Sequence, residues 1–352
     1  MGSETMARPV ADDTAATATL AGQRFRVRDH YEVGREKVRE FARAVQNQHG
    51  AHHHEADARK LGYQGIVAPP TFVSTIGLTI THALLDTVLT EYDLSQMLQT
   101  DQIFEIYRPL VAGDRLTSDI AIESIRQYGD NDFITVKFAL TNQHGEVAQV
   151  GTTTIVARRG AVVDPNLTEA VENIMMHVPK IASASVADSE ALIELGSDVP
   201  PIVGERTAVP VNTTPDFDEL VTGQQLAPGS ARVTRGDLAN YAGVSGDANP
   251  IHFSDEAAQL AGLPGVVGHG MLTMGLAAEY LTSWIGDPTA IEKFSVRFSG
   301  FVPVAPAAAS RIEFTGKIKS LDPQRRTATV LLGGTAEGRK LFGRAIAEVR
   351  FA

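Results

Sequence analysis

The sequence predicts an α+β protein built from two tandem copies of one domain, each with a long helix followed by an antiparallel meander of strands. The first observation is an internal duplicate. Laid against residues 35–72, residues 235–272 match without a gap: Phe41-Ala42 falls under Tyr241-Ala242, His52 under His252, Ala58 under Ala258, Gly62 under Gly262, and Gly65-Ile66-Val67 under Gly265-Val266-Val267. Further on, FITVKFALTNQHGE (Phe133 to Glu146) faces TATVLLGGTAEGRK (Thr327 to Lys340), so one domain is used twice. The second observation is a change of period within each copy, from helically spaced apolar residues to β-rich runs parted by Pro and Gly.

Residues 1–20, MGSETMARPVADDTAATATL, read as a disordered lead, with neither a basic start nor an apolar core. Copy one spans 21–160, with a helix from Pro70 to about Leu89 and strands near Gln102–Arg108, Arg115–Ser124, Asp132–Asn142 and Val147–Ala157. Residues 161–220 carry eleven acids against Lys180 and Arg206, a balance of −9. They predict a solvated, partly ordered crossover with a helical piece at Leu167–Met176. Copy two spans 221–352. A short helix holding Arg235–Ala242 leads into a turn-rich loop, and Asp255–Ala261 is a second short helix that Gly262 closes. A long helix, Gly270–Ile285, repeats Leu272, Leu276 and Tyr280 at helical spacing, and strands follow in FSVRFSGF, RIEFTGKI, ATVLLGG and FGRAIAEVRF.

At 352 residues the chain has room for two domains with proper cores, and the lack of Cys excludes disulfides, thiolate metal sites and a cysteine nucleophile. No apolar run approaches a membrane span, so a soluble cytoplasmic protein without a membrane partner is expected. The net charge of −11 argues against nucleic acid, although residues 301–352 carry nine bases against four acids. His49 and His52-His53-His54 suggest metal, but adjacent histidines diverge and no carboxylate or Cys cluster completes a site; a solvated loop is expected there. Gly333-Gly334 lacks the spacing of a phosphate loop, and no Gly-x-Ser-x-Gly elbow occurs. Neither metal nor organic cofactor is expected.

The stretch YAGVSGDANPIH, Tyr241 to His252, puts an acid and an imidazole five residues apart in a turn rich in Gly, Asn and Pro. Such a segment projects Asp247, Asn249 and His252 together from one loop, though an isolated spacing of this kind is ordinarily an Asx turn beside a half-buried histidine. The run Tyr241, Gly246, Asp247, Asn249, Pro250, Ile251, His252 and Ala257 or Ala258 resembles the signature of R-specific enoyl-thioester hydratases and (3R)-hydroxyacyl-thioester dehydratases of the MaoC-like hot-dog family. The likeness continues through Val266–Gly275, Thr282–Pro288 and Val296–Phe298. It implies a double hot-dog: each sheet wrapped around its long helix, and the two copies side by side in one continuous sheet, which covers the open edge of each.

Copy one departs where it matters. Asn47 stands opposite Asp247 and His49-Gly50 opposite Asn249-Pro250, and Asn accepts no proton at neutral pH. Its stretches Val33–Val45, Leu61–Phe72 and Arg108–Asp114 resemble the non-catalytic subunit of the heterodimeric (3R)-hydroxyacyl-acyl-carrier-protein dehydratase of type II fatty-acid elongation toward mycolic acids. Copy two resembles the catalytic subunit, so the chain reads as a natural fusion of the two.

The resemblance implies dehydration of a β-hydroxyacyl thioester on acyl carrier protein. Asp247 and His252 would act as the acid/base pair, Asn249 would orient the loop or substrate, and the Gly270 N–H at the helix start would stabilise the enolate oxygen. Gly268 and His269 belong to the same turn, although His269 on its own reads as a structural turn residue. Copy one would wall the acyl channel through Phe72, Ile76, Leu84 and Leu85. The carrier, anionic whether protein or CoA, would dock on Arg325, Arg326, Arg339, Lys340 and above all Arg344. An R-specific enoyl-CoA hydratase shares the same site. A hot-dog thioesterase would want its acid placed to drive water onto the carbonyl, and a non-enzymatic acyl-thioester binder gives no reason for Asp247 in one copy only.

Overall fold

Thirteen strands form one antiparallel sheet in the computed structural model, which describes residues 20–90, 92, 97–158, 174, 191–196, 199–200, 203–206 and 209–352. The lead, but for Leu20, and the helical piece expected at Leu167–Met176, but for Ile174, lie outside the described residues. Copy one contributes β1 (Arg24–Val27), β2 (Tyr31–Glu32), β3 (Met97–Ile106), β4 (Arg115–Tyr128), β5 (Asn131–Thr141) and β6 (Val147–Arg158). The crossover contributes β7 (Leu192–Leu195). Copy two contributes β8 (Gly229–Val233), β9 (Ile291–Phe298), β10 (Ser310–Asp322), β11 (Thr327–Ala336), β12 (Arg339–Lys340) and β13 (Phe342–Arg350).

The spatial order β7-β1-β4-β5-β6-β3-β9-β13-β11-β10-β8 is nearly a palindrome of the two copies, joined where β3 pairs with β9. At that seam Phe104 lies opposite Phe294, flanked by Asp101 opposite Arg297 and Glu105 opposite Lys293. Both flanking pairs are ion pairs, at 2.8 and 3.3 Å. With Lys293 33% and Arg297 60% exposed, they fix register more than they add stability. The pairing gives each copy's meander a partner at the edge it would otherwise present to solvent.

The helices lie across the inner face: α1 (Arg35–Ala44), α2 (Glu55–Lys60) and α3 (Val73–Thr87) in copy one, and α4 (Arg235–Ser245), α5 (Asp255–Leu260) and α6 (Gly270–Ile285) in copy two. Leu272, Leu276 and Tyr280 are all buried, as the spacing of α6 predicts. The copies also meet through helices. Phe41 and Tyr241, which occupy the same position in the repeat, bring their rings to 6.2 Å. Gly275 has no side chain for a related reason: a Cβ there would lie 2.6 Å from Val45 Cγ1 of the other copy.

The crossover is more than a solvated tether. Leu192 is fully buried, and β7 pairs with β1 along its whole length. Arg206 donates to the main-chain carbonyls of Ile106 and Glu292, clipping the end of β3 to the start of β9. The short strands β1, β7 and β8 escape the sequence because, at or next to the sheet's edges, they bury little; in β1 only Phe25 is fully enclosed. Among the described residues no helix is long and apolar enough to cross a membrane.

Candidate active site

Each residue of the GDANPIH run has a local job that shapes the loop. Thr234 and Asp237 form a capping box that starts α4, and Gly246, at φ 84°, ends it in the left-handed conformation that costs glycine least. The Asp247 carboxylate accepts the N–H of Asn249 at 3.3 Å, and the Asn249 side-chain oxygen accepts the N–H of Ile251 at 3.2 Å. These are two successive Asx turns. Pro250 opens the single helical turn that carries His252, and Ser254 caps α5.

His252 is locked by its Nδ1–H, which donates to the Val267 carbonyl at 2.8 Å; Val267 in turn donates its N–H to Ile251. A carbonyl only accepts, so the proton of the neutral ring is on Nδ1 and Nε2 carries the lone pair. Burial holds the pKa of His252 below the usual imidazole value, against the opposing pull of Asp247 and the Val267 carbonyl. The ring is therefore neutral near pH 7, with Nε2 4.0 Å from Asp247 Oδ2. That gap is too long for a direct hydrogen bond, but one oxygen atom can sit at about 2.8 Å from both groups. The arrangement suits a hydroxyl or water held between a base and a carboxylate.

His269 lies beneath this pair. It is fully buried, stacked on His252 at 3.7 Å and near Tyr241 at 4.9 Å, and burial followed by the neighbouring His252 pushes its pKa down to about 3. Asp247, His252 and His269 form a cluster whose ligand atoms all lie within 4.8 Å of one another. His269, enclosed and with Nε2 turned to the Asp247 main-chain carbonyl at 3.4 Å, is placed to support the loop, as its turn position suggests, and cannot meet a substrate without movement. Gly268 is buried too, its N–H given to Val302. Gly270, by contrast, is exposed as the first residue of α6, where a helical N–H has no acceptor within its own helix. A Cβ on it would lie 3.4 Å from the Phe298 ring.

The equivalent place in copy one keeps the scaffold and lacks the chemistry. Asn47 accepts the N–H of His49, and His52 donates to Val67 at 2.6 Å, as in copy two. Asn47 and His52 are buried, however, and among the described residues Asn47 Nδ2 and His52 Nε2 have no hydrogen-bond partner. Burial lowers the His52 pKa to about 3. Pro70 occupies the position of Gly270, so the N–H equivalent to that of Gly270 is absent as well. The repeat carries that signal, and reading the dyad alone misses it.

One expectation is corrected here. The histidine cluster is not a solvated loop: His49 accepts from Ala51 at Nδ1 and donates from Nε2 to Gly286 at the end of α6, and His53 Nε2 donates to the Asn47 carbonyl. Phe72 and Ile76, expected to wall a channel, are both buried, and Phe72 packs edge-on against Phe41 and Tyr31. Leu84 and Leu85 are buried in the same core. Arg325 is paired with Glu292, and Arg326 with Asp216 and Asp218. Arg344 is exposed opposite Arg297, on the face away from the helices, whereas Phe298 faces Gly270 on the inner side.

His52→Ala is expected to lower the melting temperature, because it orphans the Val67 carbonyl and opens a cavity, while turnover per folded molecule stays within a few-fold of wild type. A loss matching that of His252→Ala would reveal a second working site.

Known proteins agree with the two-copy reading. Residues 19–150 match the family model for the FAS1-like dehydratase domain region, and residues 217–334 that for the MaoC-like domain. A UPF0336 protein of Mycolicibacterium paratuberculosis is 38% identical over 154 residues, 44% of this chain and 97% of that protein. A conserved hypothetical protein of Mycobacterium tuberculosis, described as having a double hotdog fold, superposes with a TM-score of 0.62 at 12% identity, covering 94% of this chain and 96% of that one, a likeness of fold alone. A solved structure described as a MaoC-like dehydratase is 42% identical with a TM-score of 0.86, covering 95% of this chain and 99% of that one. With sequence and fold matched over nearly the full length of that structure, the chain belongs to the MaoC-like dehydratase family.

Proposed function

We propose that the protein dehydrates (3R)-hydroxyacyl thioesters to trans-2-enoyl thioesters, with acyl carrier protein as the carrier and copy two as the working half. The observation that carries this reading is the 4.0 Å gap between His252 Nε2 and Asp247 beside the free N–H end of α6. A thioester whose carbonyl oxygen meets the Gly270 N–H would place its α-carbon and 3-hydroxyl over that gap. His252 Nε2 takes the α-proton; the C–H electron pair becomes the double bond as the C–O bond breaks, and the departing hydroxyl, held by Asp247, takes the proton from His252 to leave as water. The helix-terminal N–H meets the negative charge that gathers on the thioester oxygen meanwhile.

Copy one supports the reading by what it lacks: Asn47 for the carboxylate and Pro70 for the donor, on a retained scaffold. We infer a division of labour like that of a catalytic and a non-catalytic subunit carried on one chain. The test is hydration of trans-2-enoyl thioesters of short and long chain, each on CoA and on acyl carrier protein. Higher kcat/KM on the carrier protein is expected. A preference for CoA would make the protein an R-specific enoyl-CoA hydratase instead, and no hydration of any of them, with hydrolysis of the thioester, would overturn the reading.

A further inference from the structure

The inner face of β3 departs from the symmetry of the repeat beside the catalytic loop. Gln99 Nε2 donates to Gln102 Oε1 at 2.8 Å, and Thr153 Oγ1 donates to the same oxygen at 2.7 Å. Gln102 is buried and spends its own N–H groups on the carbonyls of Ile103 and Thr152. The matching loop bonds, Ala68 to Leu110 and Gly268 to Val302, set the offset between the copies at 192 in this stretch. It puts Ile291 and Phe294 where copy one has Gln99 and Gln102, and Ala347 pairs with Phe294 as Thr153 pairs with Gln102. Those three are apolar and buried.

The polar group belongs to copy one, yet it borders the site of copy two. Gln102 lies opposite Val296 across the seam, on the inner face that Phe298 shares. Gln99 immediately precedes the bulge at Gln99/Asp101, beside the Phe298 end of β9. Its Nε2 is 3.6 Å from the sulfur of Met271, the residue after Gly270. Gln99 is half-buried, and among the described residues its Oε1 accepts nothing. From Gln99 the row runs inward along β3 through Gln102 to Phe104 in the core. A thioester tied to a bulky carrier keeps its carrier end outside, and the row leads inward from beside Met271.

Resting on the reading of the site as a hydroxyacyl-thioester dehydratase, we propose that the acyl chain runs inward over this row and that Gln99, held by Gln102 and Thr153, sets selectivity against long saturated chains. A methylene chain laid over Gln99 would cover its carbonyl oxygen without offering a hydrogen bond, whereas a short chain would leave it in water. The experiment compares kcat/KM for hexadecenoyl and crotonyl thioesters in wild type, Gln99→Leu and Gln99→Met, with melting curves for each. Both variants are expected to raise the long-to-short ratio by about tenfold. A ratio within twofold of wild type in a folded variant overturns the proposal while leaving the dehydratase reading in place. A wild-type protein that hydrates neither substrate overturns both. The methionine variant keeps the length of the side chain, so the test survives if the leucine variant does not fold.

Discussion

Asp247→Asn and His252→Ala are each expected to lower the hydration rate of a trans-2-enoyl thioester by about two to four orders of magnitude, the usual worth of a positioned acid or base. The asparagine keeps the size of the side chain and an oxygen to accept the N–H of Asn249, so the first Asx turn survives and only the carboxylate is lost. Removing the imidazole leaves the Val267 carbonyl without its donor, a local cost that the melting curve will report. The pH profile offers an independent check. His252 must be neutral to act as base, and burial holds its pKa below the ordinary 6.5, so kcat/KM should fall on the acid side only below that value. Near wild-type rates in either folded variant, or an acid limb centred above the ordinary value, would remove the pair from the chemistry.

The dyad is legible in the sequence because the residues that shape its loop are those with strong local rules: Gly246 to end a helix, Asp247 and Asn249 for Asx turns, Pro250 to start the next turn. The long helix α6 is equally legible, its limits at Gly270 and Ile285 set by the glycines around it and by apolar spacing. The channel wall is not. Phe72 and Ile76 lie on a helix whose other faces are also apolar, so periodicity cannot tell the side facing the core from a side facing ligand. Gln99 precedes the strand that the sequence suggests at Gln102, because the bulge at Gln99/Asp101 breaks the alternation and the local residues are polar. The role of Arg344 depends on which face of β13 it occupies, and the register shift between Phe342 and Arg344 decides that.

Gly270→Pro is expected to lower kcat/KM by about two to three orders of magnitude, the cost of removing one oxyanion donor. A backbone N–H cannot be deleted by an ordinary substitution, but here the fold permits proline. Gly270 is the first helical residue of α6, the position where proline is best tolerated because its missing N–H has no partner in the helix anyway. His269 before it is at φ −57° and ψ 132°, an extended conformation that a following proline favours. Copy one already makes the same exchange, with Pro70 in the equivalent place. The added ring would touch Phe298, since even a Cβ comes to 3.4 Å, so Gly270→Ala is the control: it adds the contact and keeps the N–H. If alanine keeps most of the activity and proline loses it, with similar melting temperatures, the N–H is the working group. Equal losses in both would mean that the site needs the space and not the donor, and near wild-type activity in the proline variant would take Gly270 out of the mechanism.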